Sequence, residues 1–246
     1  MANFKFPTEM VDLPSKGHFY VDGHPLSKGK VEVKYMTARE EDILTSQNLI
    51  KQGVVIDKLL QSLIVDKSIK VDDMLVGDKN AIMVAARILG YGKNYEIEYE
   101  GEKYDIDLSK LEAKPIDFSK HPRGVNDFTF KLPNSERTVT FKLLNGSDEK
   151  EIDLEVRARK KITNEYSSEL TSRLKRIIKS VDGNSDPQFI NNFVDNEFLS
   201  VDSLEFRKNL NSITPDVDMT TKIVDSEGKE TQVTIPVTVR FFWPTT

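Results

Sequence analysis

The chain has 246 residues, of which 38% are hydrophobic and 30% are charged, with a formal net charge of -5. This composition is typical of a folded globular protein, and the acidic balance argues against a general nucleic-acid-binding protein, which needs an excess of Lys and Arg. Because the sequence contains no cysteine, disulfide bonds, thiol catalysis and cysteine-based zinc sites are excluded.

Residues 1–92 are predicted to form an N-terminal region of one strand and three helices, preceded by an extended, turn-rich arm at residues 4–20. The alternating stretch "KVEVKYM" predicts the strand. The helix that follows begins with a capping box in "TAREEDIL", where Glu40 can reach back to Thr37. Two further helices are predicted at "VIDKLLQSLIVDK" and "GDKNAIMVAARILGYG", and Asp78 is expected to cap the second of them.

Residues 93–145 are predicted to form a small antiparallel β-layer. In "YEIEYEGEKYDIDL" two alternating runs flank Glu100 and Gly101, which is typical of a hairpin. After a linker-like piece, a second pair of strands is predicted at "DFTFKLP" and "TVTFKLL". Both pairs have the period-2 alternation of half-buried strands, so this region is expected to supply a sheet.

Residues 146–246 are predicted to be helical up to a closing hairpin. A charged helix runs from Asp148 to about residue 162, and in "NEYSSELTSRLKRIIKSVDG" apolar residues recur at helical spacing as far as Val181. This spacing predicts one buried stripe. Asp186 followed by Pro187 opens another helix, and "DSLEFRKNLNS" begins with a capping pattern at Asp202.

The last predicted element is a hairpin that turns at Glu227 and Gly228. Its second strand places five apolar residues on one face: Val233, Ile235, Val237, Val239 and Phe241. Strands and helices are segregated along the chain instead of alternating as βαβ units. The expected fold class is therefore α+β, with helical N-terminal and C-terminal parts, a small antiparallel β-layer in the middle and a closing C-terminal β-hairpin.

No set of residues has the spacing of a catalytic or metal site. The histidines, His18, His24 and His121, lie in no ligand motif, and no stretch has the spacing of a phosphate-binding loop. Ser15 and Lys16 are adjacent but lack the sequence context of an activated nucleophile. We therefore expect a protein that is not an enzyme and that uses no metal or cofactor.

Aromatic residues near both ends of the chain are the candidate partner-binding residues, since aromatic side chains are frequent interface anchors. Phe241 is expected to pack internally, and Trp243 to serve either internal packing or docking. The arm at residues 4–20 is a second candidate, with wrapping around its own domain as the alternative. The candidate set is Phe4, Phe6, Phe19, Tyr20, Phe242 and Trp243.

Seven stretches, taken in order, carry a resemblance to a known family. They are "FPTEMVDLPSKGHFY", "MTAREEDIL", "GDKNAIMVAARILGYG", "FTFKLPNSERTVTFKLL", "DPQFINNFVDNEFLSVDSLEFRKNL", "TPDVDM" and "VTIPVTVRFFWP". With this set the chain resembles the baseplate protein family of T4-like contractile-tailed phages, which includes baseplate hub subunits and hub assembly proteins. The resemblance runs from Phe4 to Pro244, and it rests on the number and order of the stretches and not on any single motif.

The resemblance implies a non-catalytic baseplate hub or tail assembly protein that acts through protein–protein recognition, either as a hub component or as a transient assembly chaperone. Its partners would be other hub or tail proteins, the tape-measure protein among them, with no nucleic acid and no membrane. The symmetry of phage baseplates leaves oligomerisation open. Some relatives carry cysteine pairs that resemble zinc ligands, but this chain has none, so no zinc site is carried over.

The expected location is the host cytoplasm during assembly, with the tail baseplate of the virion as a further location. No apolar run approaches the ~20 residues of a membrane-spanning helix, and the first residues lack the apolar stretch of a signal peptide. The alternative from another functional class is a small hydrolase that acts in tail maturation. The sequence offers no nucleophile and base at catalytic spacing to support that alternative.

Overall fold

The computed structural model describes residues 7–163, 169–224 and 228–242, except for the side chains of residues 161–163. Within these ranges the chain has an α+β fold, as the sequence predicts, and it contains eight helices and four small antiparallel sheets. The N-terminal elements are β1 (Thr8–Asp12), β2 (Lys30–Lys34), α1 (Ala38–Thr45), α2 (Gln47–Gln52), α3 (Val55–Leu63) and α4 (Val76–Tyr91). The arm is thus not free along its described length, because β1 pairs with β2.

Local sequence signals explain several of these boundaries. The Thr37 backbone N–H and hydroxyl both donate to one Glu40 oxygen, at 3.0 and 2.6 Å, which confirms the predicted reach of Glu40 back to the start of α1. The hairpin of β3 (Asn94–Tyr99) and β4 (Glu102–Asp107) turns at Glu100 and Gly101, as predicted. Both turn residues have positive φ, which matches the right-handed twist of a two-residue hairpin.

The predicted β-layer at residues 93–145 is divided into two separate sheets, β3 with β4 and a second sheet that is larger than the sequence predicts. Strands β5 (Phe128–Lys131) and β6 (Thr138–Phe141) pair as expected, and β7 (Ile178–Val181) adds a third strand beside β6. The prediction of a continuous helix to Val181 is therefore wrong over its last four residues. Two β-branched residues in this segment and an unpaired edge of β6 favour pairing over helical continuation.

The C-terminal region is helical up to the last hairpin. It comprises α5 (Gly146–Thr163), α6 (Glu169–Ile177), α7 (Pro187–Asn192), a π-helical turn (Phe193–Glu197), α8 (Ser200–Ile213), β8 (Thr220–Val224) and β9 (Glu230–Thr234). Asp186 caps α7 by accepting from the Phe189 N–H, and Pro187 occupies the first turn, as predicted.

The last strand is shorter than the alternating pattern predicts. It ends at Thr234, and Val239–Phe242 form a 3-10 turn instead of continuing the strand. Pro236 has no N–H to donate to a ladder, which explains why pairing stops there. Phe241 and Phe242 are both fully buried, so the turn inserts two adjacent aromatic rings into the interior.

One contiguous hydrophobic core contains residues from all three predicted regions, including Leu59, Phe141, Phe206 and Phe242. The boundaries proposed at residues 92 and 145 therefore do not separate independent cores. Helix α4 crosses this core and buries Ile82 and Ala86 completely. Among the described residues, no helix combines the length and the apolar character needed to cross a membrane.

Helix α4 also buries two charged side chains. Asp78 is 0% exposed and accepts hydrogen bonds from the Ser15 N–H, the Ser15 hydroxyl and the Tyr20 hydroxyl. Burial raises the pKa of Asp78, and the three donors offset part of that rise. The expected capping role of Asp78 is thus corrected: α4 begins at Val76, and Asp78 in its first turn fixes the N-terminal turn.

The second buried charge, Arg87, fixes the C-terminal turn. Its guanidinium donates to the carbonyl oxygens of Phe241, Gly92 and Asn94 at 3.0, 2.7 and 3.1 Å. Burial lowers the pKa of Arg87. The three acceptors belong to the C-terminal turn, the end of α4 and the start of β3, so one side chain joins three segments.

Asp202 has a similar linking role near α8. It is buried in the first turn of the helix, which begins at Ser200, and accepts from the N–H groups of Asn134 and Ser135 and from the Asn134 amide. The predicted capping role is therefore corrected, because its hydrogen bonds go to the turn between β5 and β6. Burial raises the pKa of Asp202, but these hydrogen bonds outweigh it and lower the pKa to about 2.

Truncation of Phe242 is expected to destabilise the fold. Phe242→Ala removes a fully buried ring and should lower the free energy of unfolding by about 3–5 kcal/mol, measured by urea denaturation. The same truncation at the exposed Leu204 serves as the control and should change stability by less than about 0.5 kcal/mol. Unchanged stability in Phe242→Ala would contradict the placement of this residue in the core.

Replacement of Asp202 should give a pH-dependent loss of stability. Asp202→Asn is expected to cost about 1–3 kcal/mol at neutral pH, because an amide cannot accept from all three donors. A carboxylate whose pKa is lower in the folded state stabilises the fold above its unfolded pKa, and this stabilisation is lost as the pH falls through its folded pKa. The stability difference between wild type and variant should therefore be constant above about pH 5 and shrink between about pH 4 and pH 2. A difference that does not change with pH would count against this role.

Candidate partner-binding groove

An apolar groove of about 230 Å³ opens at the surface between α6, α8 and the start of α4. Its floor and walls also include the segment that links β6 to α5. Most of its lining is aliphatic: Leu75, Leu144, Leu170, Leu174, Ile177 and Leu210. We refer to this feature as the α6–α8 groove.

Two backbone N–H groups donate the hydrogen bonds that fix the segments forming the floor of the groove. The Leu75 N–H donates to the Tyr20 hydroxyl at 2.8 Å, and the Val76 N–H donates to the Leu144 carbonyl at 3.1 Å. Gly77 allows α4 to approach the end of α8, because a Cβ at this position would lie 1.9 Å from the Pro215 carbonyl oxygen. The floor is therefore held both by Tyr20, which lies outside the groove, and by Leu144, which lines it.

Helix α6 supplies one wall through residues spaced at one face of a helix. Leu170, Leu174 and Ile177 follow the i, i+4, i+7 pattern, and the sequence predicts that this stripe is buried. Leu174 and Ile177 are buried, whereas Leu170 is 47% exposed at the mouth of the groove. The predicted apolar face of α6 therefore extends from the core to the groove at the surface. The helical spacing alone could not show that Leu170, at one end of this face, is exposed.

Two arginines lie at the groove, and their charges are compensated differently. Arg173 forms a two-pronged ion pair with Glu149 at 2.7 and 2.8 Å and also contacts Glu169 at 3.3 Å. Burial lowers the pKa of Arg173, but the two carboxylates outweigh it and the net shift is upward. Arg207 is exposed, donates through Nε to the Ser203 carbonyl, and has no carboxylate within ion-pair distance among the described residues.

The lining offers an apolar binding surface, but its described residues do not include a nucleophile beside a general base. It contains no His or Lys, and its one hydroxyl, that of Thr214, donates to the Leu210 carbonyl at 2.7 Å. A nucleophile with an adjacent general base is therefore missing from the lining residues that the structure describes. An apolar interior with a guanidinium at its edge is instead the arrangement of a recognition site.

The structure places three of the six predicted partner-binding residues in the interior. Phe19 packs against Phe118 and Phe128, Tyr20 bonds to Asp78, and Phe242 lies in the core. The interpretation of these three as surface anchors is corrected, because their side chains already contact other parts of this chain. Phe4, Phe6 and Trp243 lie outside the described residues.

The histidines are engaged in local contacts. His18 Nε2 lies 2.9 Å from the His121 carbonyl oxygen, and the His24 ring accepts from the Leu26 N–H at 3.2 Å. Across residues 7–163, 169–224 and 228–242, no group of three or more acidic or histidine side chains is arranged to hold a metal ion.

Comparison of the chain with protein-family models, with curated proteins and with solved structures finds no match. The resemblance to phage baseplate proteins therefore rests on the sequence stretches quoted above and stays a prediction.

Removal of the Tyr20 hydroxyl should weaken the floor of the groove. Tyr20→Phe leaves the Leu75 N–H without its acceptor and takes one donor from buried Asp78, so a loss of about 1–3 kcal/mol in the free energy of unfolding is expected. Tyr35→Phe is the matched control, since the Tyr35 hydroxyl makes one exposed contact with Glu9 at 3.5 Å. Equal stabilities for the two variants, measured by thermal and urea unfolding, would contradict the role of the Tyr20 hydroxyl in holding the groove floor.

Proposed function

We propose that this protein is a non-catalytic baseplate hub or tail assembly protein of a T4-like contractile-tailed phage, and that it acts by binding other tail proteins. The observation that carries the proposal is the α6–α8 groove, an apolar surface site where, among the described residues, Arg207 has no carboxylate partner and no nucleophile lies beside a general base. The ordered sequence stretches that resemble the baseplate family support the phage tail as the setting.

The surroundings of Ser15 also favour a binding role over the hydrolase alternative. Its hydroxyl is fully buried, donates to an Asp78 oxygen at 2.6 Å and accepts from the Gly17 N–H at 3.1 Å. A nucleophilic hydroxyl must be able to reach a substrate, which the fully buried Ser15 hydroxyl cannot do. Ser15 instead satisfies a buried carboxylate, so it supports the fold of the N-terminal turn.

The proposed partners are baseplate hub proteins, other tail proteins and the tape-measure protein, and the proposed setting is the host cytoplasm during tail assembly. A hub component would also be present in the finished virion, whereas an assembly chaperone would leave. Quantitative mass spectrometry of purified phage separates these two roles. Peptides at structural stoichiometry identify a component, and their absence from virions identifies a chaperone.

Capture from phage-infected cells should recover tail proteins. The intact chain is used as bait, and an unrelated acidic protein of similar size with the same tag is the control. Hub or tail proteins are expected to be enriched with the intact bait, as quantified by mass spectrometry. If a folded bait, verified by circular dichroism, recovers no tail protein from infected cells, the proposed function is wrong.

A further inference from the structure

We infer that the α6–α8 groove binds a short segment of a partner protein that inserts one large apolar side chain between the two helices and places a carboxylate on Arg207. This inference rests on the proposed function as a protein-binding component, and it adds the chemistry that the partner must carry. The occupant is thus an acidic, amphipathic peptide segment.

The size of the groove favours one inserted side chain. Its volume is about 230 Å³, which exceeds the ~150 Å³ of an engineered cavity that accepts benzene but lies below the ~300–1,000 Å³ of typical small-molecule pockets. A large aliphatic or aromatic side chain fits this range. Leu170 on α6 is 47% exposed, so the rest of a peptide can remain outside while its anchor is inserted.

The exposed part of the lining includes an apolar side chain, that of Leu170, beside the charged Arg207. Leu170 is 47% exposed at the mouth, next to the buried Leu174 one turn further along α6. An occupant that covers Leu170 removes apolar surface from water, which is the usual driving force for inserting an anchor residue. The mouth therefore favours an apolar contact at the point where the occupant enters.

Charge determines what must accompany the apolar anchor. Glu149 neutralises Arg173, whereas Arg207 has only the Ser203 carbonyl as a hydrogen-bond partner among the described residues. The two carboxylates at the groove, Glu149 and Glu169, both contact Arg173, so the Arg207 guanidinium has no carboxylate partner among the described residues. A guanidinium binds carboxylates in a two-pronged geometry, so an acidic group on the occupant completes the site.

Two other occupants would leave different signatures. A fatty acid combines an apolar chain with a carboxylate, and it would be recovered in stoichiometric amount by mass spectrometry of the denatured protein. A second copy of the chain would give a concentration-dependent dimer in analytical ultracentrifugation that is lost when Leu170 is changed. Either result would overturn the assignment of the groove to a partner segment.

Three peptide pools test the inference directly on the full-length chain. Each pool consists of 12-residue peptides, acetylated and amidated at their ends, with a central position drawn from Leu, Met, Phe and Trp. The flanking positions carry Glu in the first pool, Gln in the second and Lys in the third. Fluorescence anisotropy should show that the Glu pool binds at least about tenfold more tightly than the Lys pool. Absence of binding up to about 1 mM in all pools, or equal binding by the three, would overturn the inference.

Matched variants connect this preference to the groove. Arg207→Glu should reverse the preference toward the Lys pool, while Arg39→Glu makes the same charge change at an exposed position on α1 and should leave the preference for Glu intact. Leu170→Ser should weaken binding of the Glu pool about fivefold or more. Leu154→Ser is the control at an exposed leucine outside the groove. If each control variant weakens binding as much as its groove counterpart, the site lies elsewhere.

Capture from infected cells distinguishes failure of this inference from failure of the proposed function. If Arg207→Glu and Leu170→Ser remain folded and recover the same tail proteins as wild type, the groove assignment is wrong and the proposed function stands. If wild type also recovers no tail protein, the proposed function fails as well. Loss of tail proteins in the groove variants but not in Arg39→Glu and Leu154→Ser is the expected result.

Discussion

Helix α4 buries two charged side chains that have no ion pair of opposite charge among the described residues, and the rest of the structure depends on how they are satisfied. Asp78 takes its hydrogen bonds from the turn at Ser15 and Tyr20, and Arg87 gives its hydrogen bonds to carbonyls that include Phe241. A buried charge that loses its partners costs several kcal/mol. The helix, the N-terminal turn and the turn at Val239–Phe242 therefore stabilise one another, and Phe241 and Phe242 are held in the interior.

The hydrogen bonds that satisfy buried Asp78 also hold the α6–α8 groove in place. The Tyr20 hydroxyl bonds to Asp78 and also accepts from Leu75, so the network that satisfies the buried charge extends directly to the groove floor. On the other side, Asp202 joins α8 to the turn between β5 and β6. The groove thus has a framework fixed by buried polar contacts, while Leu170 and Arg207 remain exposed at its edge. A rigid framework with exposed binding groups reduces the entropy lost on association.

Features determined by neighbouring residues could be predicted from the sequence, and those determined by distant partners could not. The turn at Glu100 and Gly101 and the Thr37–Glu40 contact depend on local chemistry and are confirmed. Residues 178–181 have helical spacing, but pairing with β6 makes them a strand. Asp78 and Asp202 resemble capping residues, yet each binds a segment more than fifty positions away. For the groove, the spacing in α6 predicts an apolar face, but only the tertiary structure reveals that Leu170 is exposed and that Arg207 has no carboxylate partner among the described residues.

The central claim is that this protein recognises partners through the α6–α8 groove. Amide hydrogen exchange on the free chain and on its complex with a captured tail protein tests this claim most directly. Binding is expected to slow exchange in residues 170–177 and 207–214, with little change in the strands β3 and β4. If protection on binding is confined to those strands, or to residues 8–20, the groove is not the site of recognition and the account is contradicted.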